Sequence, residues 1–121
     1  MEFLALVYGD NDTWEQLSEE ERAAAYEGYV AVSRDAAAAG VLVDASELES
    51  TAAATSVRVR GGDALVTDGP YAEVKESLGG YYLLSCDSLE DAIGWAAKIP
   101  ATWTGGAVEV RAVHVDDEAA A

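Results

Sequence analysis

The stretch GGYYLLSC, residues 79–86, fixes the centre of the predicted fold. A nearly continuous aromatic and apolar run of this length is typical of a buried strand. Asp87 or Ser88 follows as the cap of a helix that extends over residues 89–98. A loop rich in turn-forming residues, 68–78, precedes the strand. The sequence therefore predicts a central strand between a long loop and a helix.

The N-terminal part of the chain predicts a strand followed by a long helix. Residues 2–8, EFLALVY, form an apolar run of strand length. Ser18 and Glu21 make a capping box, so a helix is expected over residues 19–39, ending at Gly40. The helical spacing predicts a buried stripe of mixed composition: Arg22, Tyr26, Tyr29, Val30, Ser33 and Ala37.

The remaining segments predict a connector, a hairpin and a last strand. Residues 41–50 are interpreted as a connector with some extended character. Strands over residues 54–60 and 64–67 flank a Gly-Gly-Asp turn, and the alternation over residues 107–115 is typical of a strand. The order β-α-β-β-β-α-β, without a repeat or linker, predicts one domain over residues 1–121. Its expected class is α+β, a ferredoxin-like antiparallel sheet with two helices on one face.

The second face of this predicted sheet carries no helix. Its residues are apolar and charged together: Leu4, Leu6, Tyr8, Tyr81, Leu83, Glu109 and Arg111. This mixture is too apolar for bulk water and too charged for a plain core. Two such faces packed together would bury the apolar side chains, and a ligand cleft between them would use the charges. A homodimer with its sheets face to face is therefore predicted.

Charge and cysteine content limit the classes of partner and compartment. The chain has 23 acidic and 7 basic residues, a formal net charge of −16. This balance disfavours nucleic acids and anionic membranes, and favours cationic partners or simply solubility. Cys86 is the single cysteine and the N-terminus lacks the basic region of a signal peptide, so a cytoplasmic protein is expected. No apolar run has the length of a membrane span.

The loop TDGPYAEVKE, residues 67–76, is the main candidate for a site. Two interpretations of Asp68 are open: a carboxylate that caps the turn, or an acid/base at the mouth of a cleft between the sheets. Glu73 and Lys75 point to the same side of an extended segment, where they either form a salt bridge or hold a charged ligand group. The spacing of the carboxylates matches no metal loop, so neither a metal site nor a cofactor is predicted.

The predicted ligand-binding residues come from this loop and from three strands: Tyr8, Tyr71, Glu73, Lys75, Tyr81 and Arg111. Arg111 either pairs with Glu109 on the same strand face or holds an anionic ligand group. His114 stands alone near the C-terminus and is interpreted as a surface histidine.

The segment DGPYAEVKE, residues 68–76, followed by LGGYYLL, resembles the motif of the YCII-related domain family, DGPF subgroup. The likeness extends to EERAAAY, SLEDAIGWAAKIP and VEVRAV, and so covers nearly the whole chain. Tyr71 stands where the family pattern has Phe, Val74 where it has Thr, and Ala112 where it has Pro. Val74 therefore lacks the hydroxyl of the family's threonine.

This resemblance implies a dimeric α+β barrel built from ferredoxin-like subunits. YCII-like relatives have been proposed as enzymes with a His–Asp pair in a cleft. His114 does not match that histidine by position, whereas Asp68 can correspond to the aspartate. DGPF proteins are often associated with extracytoplasmic-function sigma factors, which implies a regulatory link.

Two functions follow from these observations. One is a small-molecule-binding protein or cofactor-free enzyme, with a cleft at the dimeric sheet interface and Asp68 as acid/base. The other is a non-catalytic partner in a sigma-factor pathway, in which the loop is an interaction surface or a structural lock.

Overall fold

The computed structural model of the protein describes residues 1–71 and 76–116. Its helices and strands follow one another in this order: β1 (Glu2–Gly9), α1 (Asn11–Glu15), α2 (Glu19–Ala38), β2 (Leu42–Glu47), β3 (Thr55–Arg60), β4 (Asp63–Asp68), β5 (Ser77–Ser85), α3 (Leu89–Ala96) and β6 (Ala107–Ala112). One-turn 3₁₀ helices at Thr51–Ala53 and Pro100–Thr102 complete the described part. Four strands form an antiparallel sheet in the order β2-β5-β1-β6, and β3 and β4 form a separate hairpin. The architecture is α+β and is compatible with a ferredoxin-like fold.

The core forms on one face of the central strands β1 and β5. Phe3 pairs with Leu84 and Ala5 pairs with Tyr82, and all four side chains are buried. Val32 of α2 joins the same buried cluster, as do side chains of α3 and of the 3₁₀ turn before β6. Both long helices therefore cover the same face, and the strand predicted over residues 79–86 is central, as expected.

Helix α2 begins where the capping box predicts. The Ser18 hydroxyl accepts from the Glu21 amide at 3.0 Å, and the Glu21 carboxylate accepts from the Ser18 amide at 2.9 Å. Gly40, with φ of 73°, follows the last turn, in the left-handed conformation that glycine adopts readily. Both ends of the predicted helix are confirmed to within one residue.

The buried side of α2 differs from the predicted stripe. The buried residues are Ala25, Val32 and Ala36, whereas Tyr26 is 61% exposed and Val30 is 65% exposed. The reason is close packing through small side chains. At Gly28, for example, a Cβ would lie 2.7 Å from Cγ of Pro100. The predicted stripe is nevertheless right in part, since Arg22, Tyr29 and Ser33 are half-buried and Tyr29 packs against the buried cluster. The fully buried positions are occupied by two alanines and Val32 instead.

The segment predicted as a connector is the edge strand β2. It pairs with β5, with an irregularity between Leu42 and Asp44. Because β2 is an edge strand, four of its six side chains remain exposed, and it lacks the continuous apolar run of a central strand. The loop after β1 contains a further short helix, α1, which the sequence did not predict.

The β3–β4 hairpin matches the prediction closely. Gly61 and Gly62 form its turn with φ of 60° and 85°, the sign that a type I′ hairpin turn requires at both positions. Its apolar side chains remain largely exposed in a single chain: Val57, Val59, Leu65 and Val66.

The face of the sheet opposite to the two long helices carries the residues predicted for it. In the strand registers, Leu4 lies opposite Leu83 and Arg111, and Leu6 lies opposite Tyr81 and Glu109. We call this surface, with Tyr8, the open face. Among the described helices, none is long and apolar enough to cross a membrane.

Candidate functional site

A cleft of about 600 Å³ lies at one end of the sheet, and we call it the α2 cleft. It is located where β1 and β2 end and β5 begins, beside the middle of α2. The sheet forms its floor, α1 and α2 supply side walls, and residues 48–51 form part of its rim. Small-molecule sites typically have volumes of about 300–1,000 Å³, so the α2 cleft has the size of a ligand site.

The floor of the α2 cleft depends on Gly80. Val7, Gly80 and Glu47 are partners across β1, β5 and β2, so they share the helix-covered face of the sheet. A Cβ at Gly80 would lie 2.8 Å from the backbone oxygen of Ser46, closer than such atoms approach in proteins. The glycine therefore permits close pairing with β2 and adds no side chain to the floor between Val7 and Glu47.

Tyr29 and Ser33 of α2 and Tyr82 of the floor line the inner side of the cleft. Burial raises the pKa of the Tyr82 hydroxyl, and a hydrogen bond with Ser33 opposes part of this rise. Burial also raises the pKa of Tyr29. Electrostatic coupling to the Tyr82 hydroxyl and the charge of the Glu47 carboxylate add to the rise, and a hydrogen bond with the Ala101 backbone opposes it. Both phenols are therefore neutral near physiological pH and can donate hydrogen bonds to a ligand.

An aromatic pair forms the outer wall of the cleft. The rings of Trp14 and Tyr26 have centroids 5.5 Å apart and an interplanar angle of 78°, an edge-to-face contact. Trp14 belongs to α1, whose N-cap residue Asp10 accepts hydrogen bonds from the Asp12 amide and the Thr13 hydroxyl. The short helix therefore holds the indole ring against the exposed tyrosine of α2.

The charged residues among the described lining of the cleft are all acidic: Asp10, Glu47 and Glu49. Arg34 and Asp35 form an exposed ion pair elsewhere, whereas Glu47 and Glu49 pair with no cation in the described part of the chain. Hydroxyl groups are frequent in the same lining: Ser33, Ser46, Ser50, Thr51, Ser77 and Thr104. The cleft therefore combines aromatic walls with negative charge and neutral hydrogen-bonding groups.

Two of the residues predicted for the site, Tyr8 and Tyr81, line the α2 cleft. The strand register places both on the open face, on the same side as Leu6. The Tyr81 hydroxyl donates to the Asp44 carboxylate at 2.8 Å. The cleft therefore reaches the edge of the open face, although most of its lining lies on the helix-covered side.

Asp68 lies at the end of β4 and does not line the cleft. Its side chain is exposed, and its carboxylate accepts no hydrogen bond from residues 1–71 or 76–116. The start of the loop is instead held by its backbone. The Gly69 amide donates to the Ala54 carbonyl at 2.7 Å, and the Gly69 carbonyl accepts from the Ser56 hydroxyl at 2.8 Å.

The other predicted residues are not brought together with Asp68 in the described structure. Tyr71 is 76% exposed, and the Arg58 guanidinium lies 4.7 Å from its ring centroid. Arg111 is exposed on the open face, on β6. Glu73 and Lys75 lie outside the described residues.

The sequence interpretation missed the helix-covered side of the cleft. The α2 spacing does group Tyr26, Tyr29 and Ser33 on one side, but it assigns them to the core. Their mixed aromatic and polar composition was the available signal for a cleft wall. Glu47 gave no such signal, because its segment was interpreted as a connector.

Metal-ligating and nucleophilic side chains are not assembled in residues 1–71 and 76–116. No group of three or more His, Cys, Asp and Glu residues there is arranged to hold a metal ion. Cys86 is buried, and burial raises the pKa of its thiol, with the charges of Asp91 and Asp87 adding to the effect. The thiol is therefore protonated and packs as a small apolar group.

Comparison with known proteins supplies the family. The YCII-related domain family matches residues 1–115 of the chain. A protein of Rhizobium meliloti (strain 1021), described only as uncharacterised, is 37% identical over 112 residues, which cover 92% of this chain and 90% of that protein. The match extends from β1 to beyond β6 and includes every element that builds the α2 cleft. The chain belongs to the YCII-related domain family.

Proposed function

We propose that this chain is a small-molecule-binding protein whose ligand occupies the α2 cleft. One observation carries the proposal: a single cavity of about 600 Å³ combines aromatic walls with neutral hydroxyls and carboxylates. An apolar and aromatic lining with a few polar groups is typical of ligand sites. A glycine keeps side-chain atoms off the floor of this cavity.

The proposal includes a dimer, formed by one DGPF-type domain in each chain and paired through the open faces as an α+β barrel. Leu4, Leu6 and Leu83 are partly exposed on this face in the single chain. Burial of such apolar surface is the main driving force of protein association. Since Tyr8 and Tyr81 both belong to the open face and line the α2 cleft, a partner subunit there would border the ligand site.

Asp68 keeps its proposed role as an acid/base of a cofactor-free reaction. Its support is an exposed carboxylate without a partner in the described structure, in a loop whose sequence resembles the DGPF pattern. Such a role would require the 68–76 loop, or the same loop of a second chain, to reach a bound ligand. The alternative of a regulatory partner in a sigma-factor pathway stays a prediction from the family resemblance.

The test of ligand binding uses two leucines of similar exposure. Leu48 is 42% exposed at the rim of the α2 cleft, and Leu89 is 51% exposed at the start of α3, outside the cleft. Leu48→Trp narrows the cleft, whereas Leu89→Trp makes the same chemical change elsewhere. The wild type and both variants are screened against a metabolite collection, with Tm as the readout, because a ligand of the folded state raises stability by mass action.

The expected result is a compound that raises the Tm of the wild type and of Leu89→Trp, and raises that of Leu48→Trp much less. Equal shifts in all three proteins would place the ligand outside the cleft. A broad screen without any Tm shift in the wild type would count against small-molecule binding itself.

A further inference from the structure

The α2 cleft contains an imbalance of charge that points to the kind of ligand it takes. Its described lining holds three carboxylates and no Lys, Arg or His. Glu47 lies on the helix-covered face, beside the open floor at Gly80, and its charge acts on the Tyr29 hydroxyl across the cleft. Neither Glu47 nor Glu49 forms an ion pair with a described residue. A ligand entering here therefore meets the negative charges of Glu47 and Glu49, which no described ion pair offsets.

The aromatic walls favour the same sign of charge. The faces of tryptophan and tyrosine rings are electron-rich and attract cations, including ligand ammonium groups. Elsewhere in the described structure the chain uses its own cations in this way, with Arg58 over Tyr71 at 4.7 Å and Lys98 over Trp95 at 4.5 Å. At the Trp14–Tyr26 pair beside the cleft, no described cation of the protein makes such a contact.

Other ligand classes fit less well. An anion would face the cleft carboxylates and a chain of net charge −16, and the described lining offers no cation to receive it. A bare metal ion would need several converging ligands, and no group of three is found in the described residues. The cavity is also larger than one ion needs, and part of its lining is apolar: Val7, Ala45, Leu48, Leu78 and Ala101. These features require an organic group beside the positive charge.

We infer that the α2 cleft binds an organic cation, an amine or ammonium group attached to an apolar body of aromatic or similar size. The ammonium group is placed near Glu47 and the tyrosine hydroxyls, and the apolar body lies against the Trp14–Tyr26 wall. This inference rests on the proposed function, since it names the ligand class of the same cleft.

Three probes of nearly equal size test the charge: 2-phenylethylammonium, 2-phenylethanol and 3-phenylpropanoate. Their dissociation constants are measured by calorimetric titration at low ionic strength. The ammonium probe is expected to bind about tenfold more tightly than the alcohol, because one ion pair and one cation–π contact each contribute modestly at a partly exposed site. The carboxylate probe is expected to bind more weakly than the alcohol.

Two variants locate the effect. Glu47→Gln should weaken binding of the ammonium probe about fivefold and leave binding of the alcohol unchanged, as expected for one partly exposed ion pair. Glu90→Gln, at an acidic residue of α3 outside the α2 cleft, should change neither. Glu49→Gln repeats the measurement at a second carboxylate of the rim, in case Glu47→Gln perturbs the edge of the sheet.

The inference is overturned if the alcohol or the carboxylate binds as tightly as the ammonium probe, or if none of the three binds. It is also overturned if the preference for the cation survives both Glu47→Gln and Glu49→Gln. These outcomes leave the proposed function standing where the Leu48→Trp screen finds a ligand of another class. If the metabolite screen finds no compound that binds, the proposed function itself is contradicted, independently of the ligand class.

Discussion

Gly79 and Gly80 are adjacent in β5, yet only Gly80 lies too close to its neighbours to accept a side chain. A Cβ at Gly80 would lie 2.8 Å from the Ser46 oxygen and 3.5 Å from Cα of Glu47, both backbone atoms of β2. A Cβ at Gly79 would meet the Val7 oxygen at 3.9 Å, an ordinary contact. The floor of the cleft therefore depends on one glycine of the pair.

We expect Gly80→Ala to lower the free energy of unfolding by about 1–3 kcal/mol, the usual cost of adding atoms to a packed site. Gly79→Ala is the matched control and should be neutral or slightly stabilising, since it restricts the unfolded chain without a clash. Urea unfolding of the three proteins measures both effects. Equal destabilisation by the two substitutions would contradict the close approach of β2 and β5 at Gly80.

The start of the 68–76 loop allows a second comparison between single residues. Because the Ser56 hydroxyl bonds the Gly69 carbonyl at 2.8 Å, Ser56→Ala should cost about 1 kcal/mol of stability. Asp68→Ala removes an exposed carboxylate without a partner among the described residues, and it should change stability by less than about 0.5 kcal/mol.

The same denaturant series tests this order of effects. If Asp68→Ala is the more damaging change, Asp68 caps the turn after all. If Asp68→Ala folds normally but loses ligand-dependent stabilisation, the carboxylate acts on the ligand, as the acid/base proposal requires.

Individual residues also show what the sequence could reveal about the site. Tyr8 and Tyr81 were identified because strand alternation is visible in the sequence, and they line the cleft. Tyr29 and Ser33 were assigned to a buried stripe and are half-buried, but helical spacing does not show that this side of the helix also borders a cleft. The close contact between Gly28 and Pro100 sets how near α2 lies to the 3₁₀ turn before β6. This distance between two elements has no local signal in the sequence.

At the scale of elements, α2 depends on its capping box. Glu21 accepts a hydrogen bond from the Ser18 amide, and this bond together with the Ser18 side chain lowers the pKa of the Glu21 carboxyl below its ordinary value of 4.5. A pKa that is lower in the folded state means that ionised Glu21 stabilises the fold above the unfolded-state pKa. The contribution is lost as the pH falls through the folded-state pKa.

We therefore expect Glu21→Gln to be less stable than the wild type near neutral pH, and the difference to shrink as the pH falls below 4.5. Glu20→Gln removes a charge from the same helical turn but leaves the capping box intact, and so serves as the control. Urea midpoints of the three proteins along a pH series give the two differences. A Glu21→Gln difference that stays constant through the acid range would show that the charge plays no part in capping.

Elements with strong local signals were predicted well, and those that depend on their neighbours were not. Helix α2 was fixed by Ser18, Glu21 and Gly40, and the hairpin turn by its two glycines. Strand β2 has neither an apolar run nor clean alternation, because pairing with β5 on one side suffices to hold it. The error concealed Glu47, and with it the acidic side of the cleft.

At the scale of the whole molecule, the open face predicts the state of association. Leu83 lies in the middle of this face, between Leu4 of β1 and Asp44 of β2. We expect Leu83→Asp to convert a wild-type dimer to monomers, because it places a charge in the apolar contact. Val30→Asp is the control, since Val30 is 65% exposed on α2, and it should leave the dimer intact.

Sedimentation equilibrium of the three proteins measures their masses, and circular dichroism verifies that Leu83→Asp is folded. A monomeric wild type would refute the dimer. If the Leu83→Asp protein remains dimeric, the dimer contact must lie on another surface, such as the exposed β3–β4 hairpin.

The net charge of −16 acts on the whole chain and should produce opposite responses to salt. Mutual repulsion of the acidic groups opposes the compact state, so screening by added NaCl should raise the Tm. The same screening should weaken binding of 2-phenylethylammonium, because its attraction to Glu47 and to the surrounding acidic surface is electrostatic. The Debye length is about 8 Å at physiological ionic strength, which is comparable to the dimensions of the cleft. Both effects should therefore develop mostly at salt concentrations below the physiological ionic strength.

Sucrose, which is neutral and excluded from protein surfaces, is the control. It should raise the Tm without weakening the binding of 2-phenylethylammonium. The two responses separate the two roles of the acidic charge. If salt raises the Tm but leaves cation affinity unchanged, the acidity serves solubility alone and the cleft does not select by charge. If salt weakens the binding of the cation but leaves the Tm unchanged, the repulsion among the acidic groups is already relieved in the folded protein. The carboxylates of the cleft then act locally on the ligand.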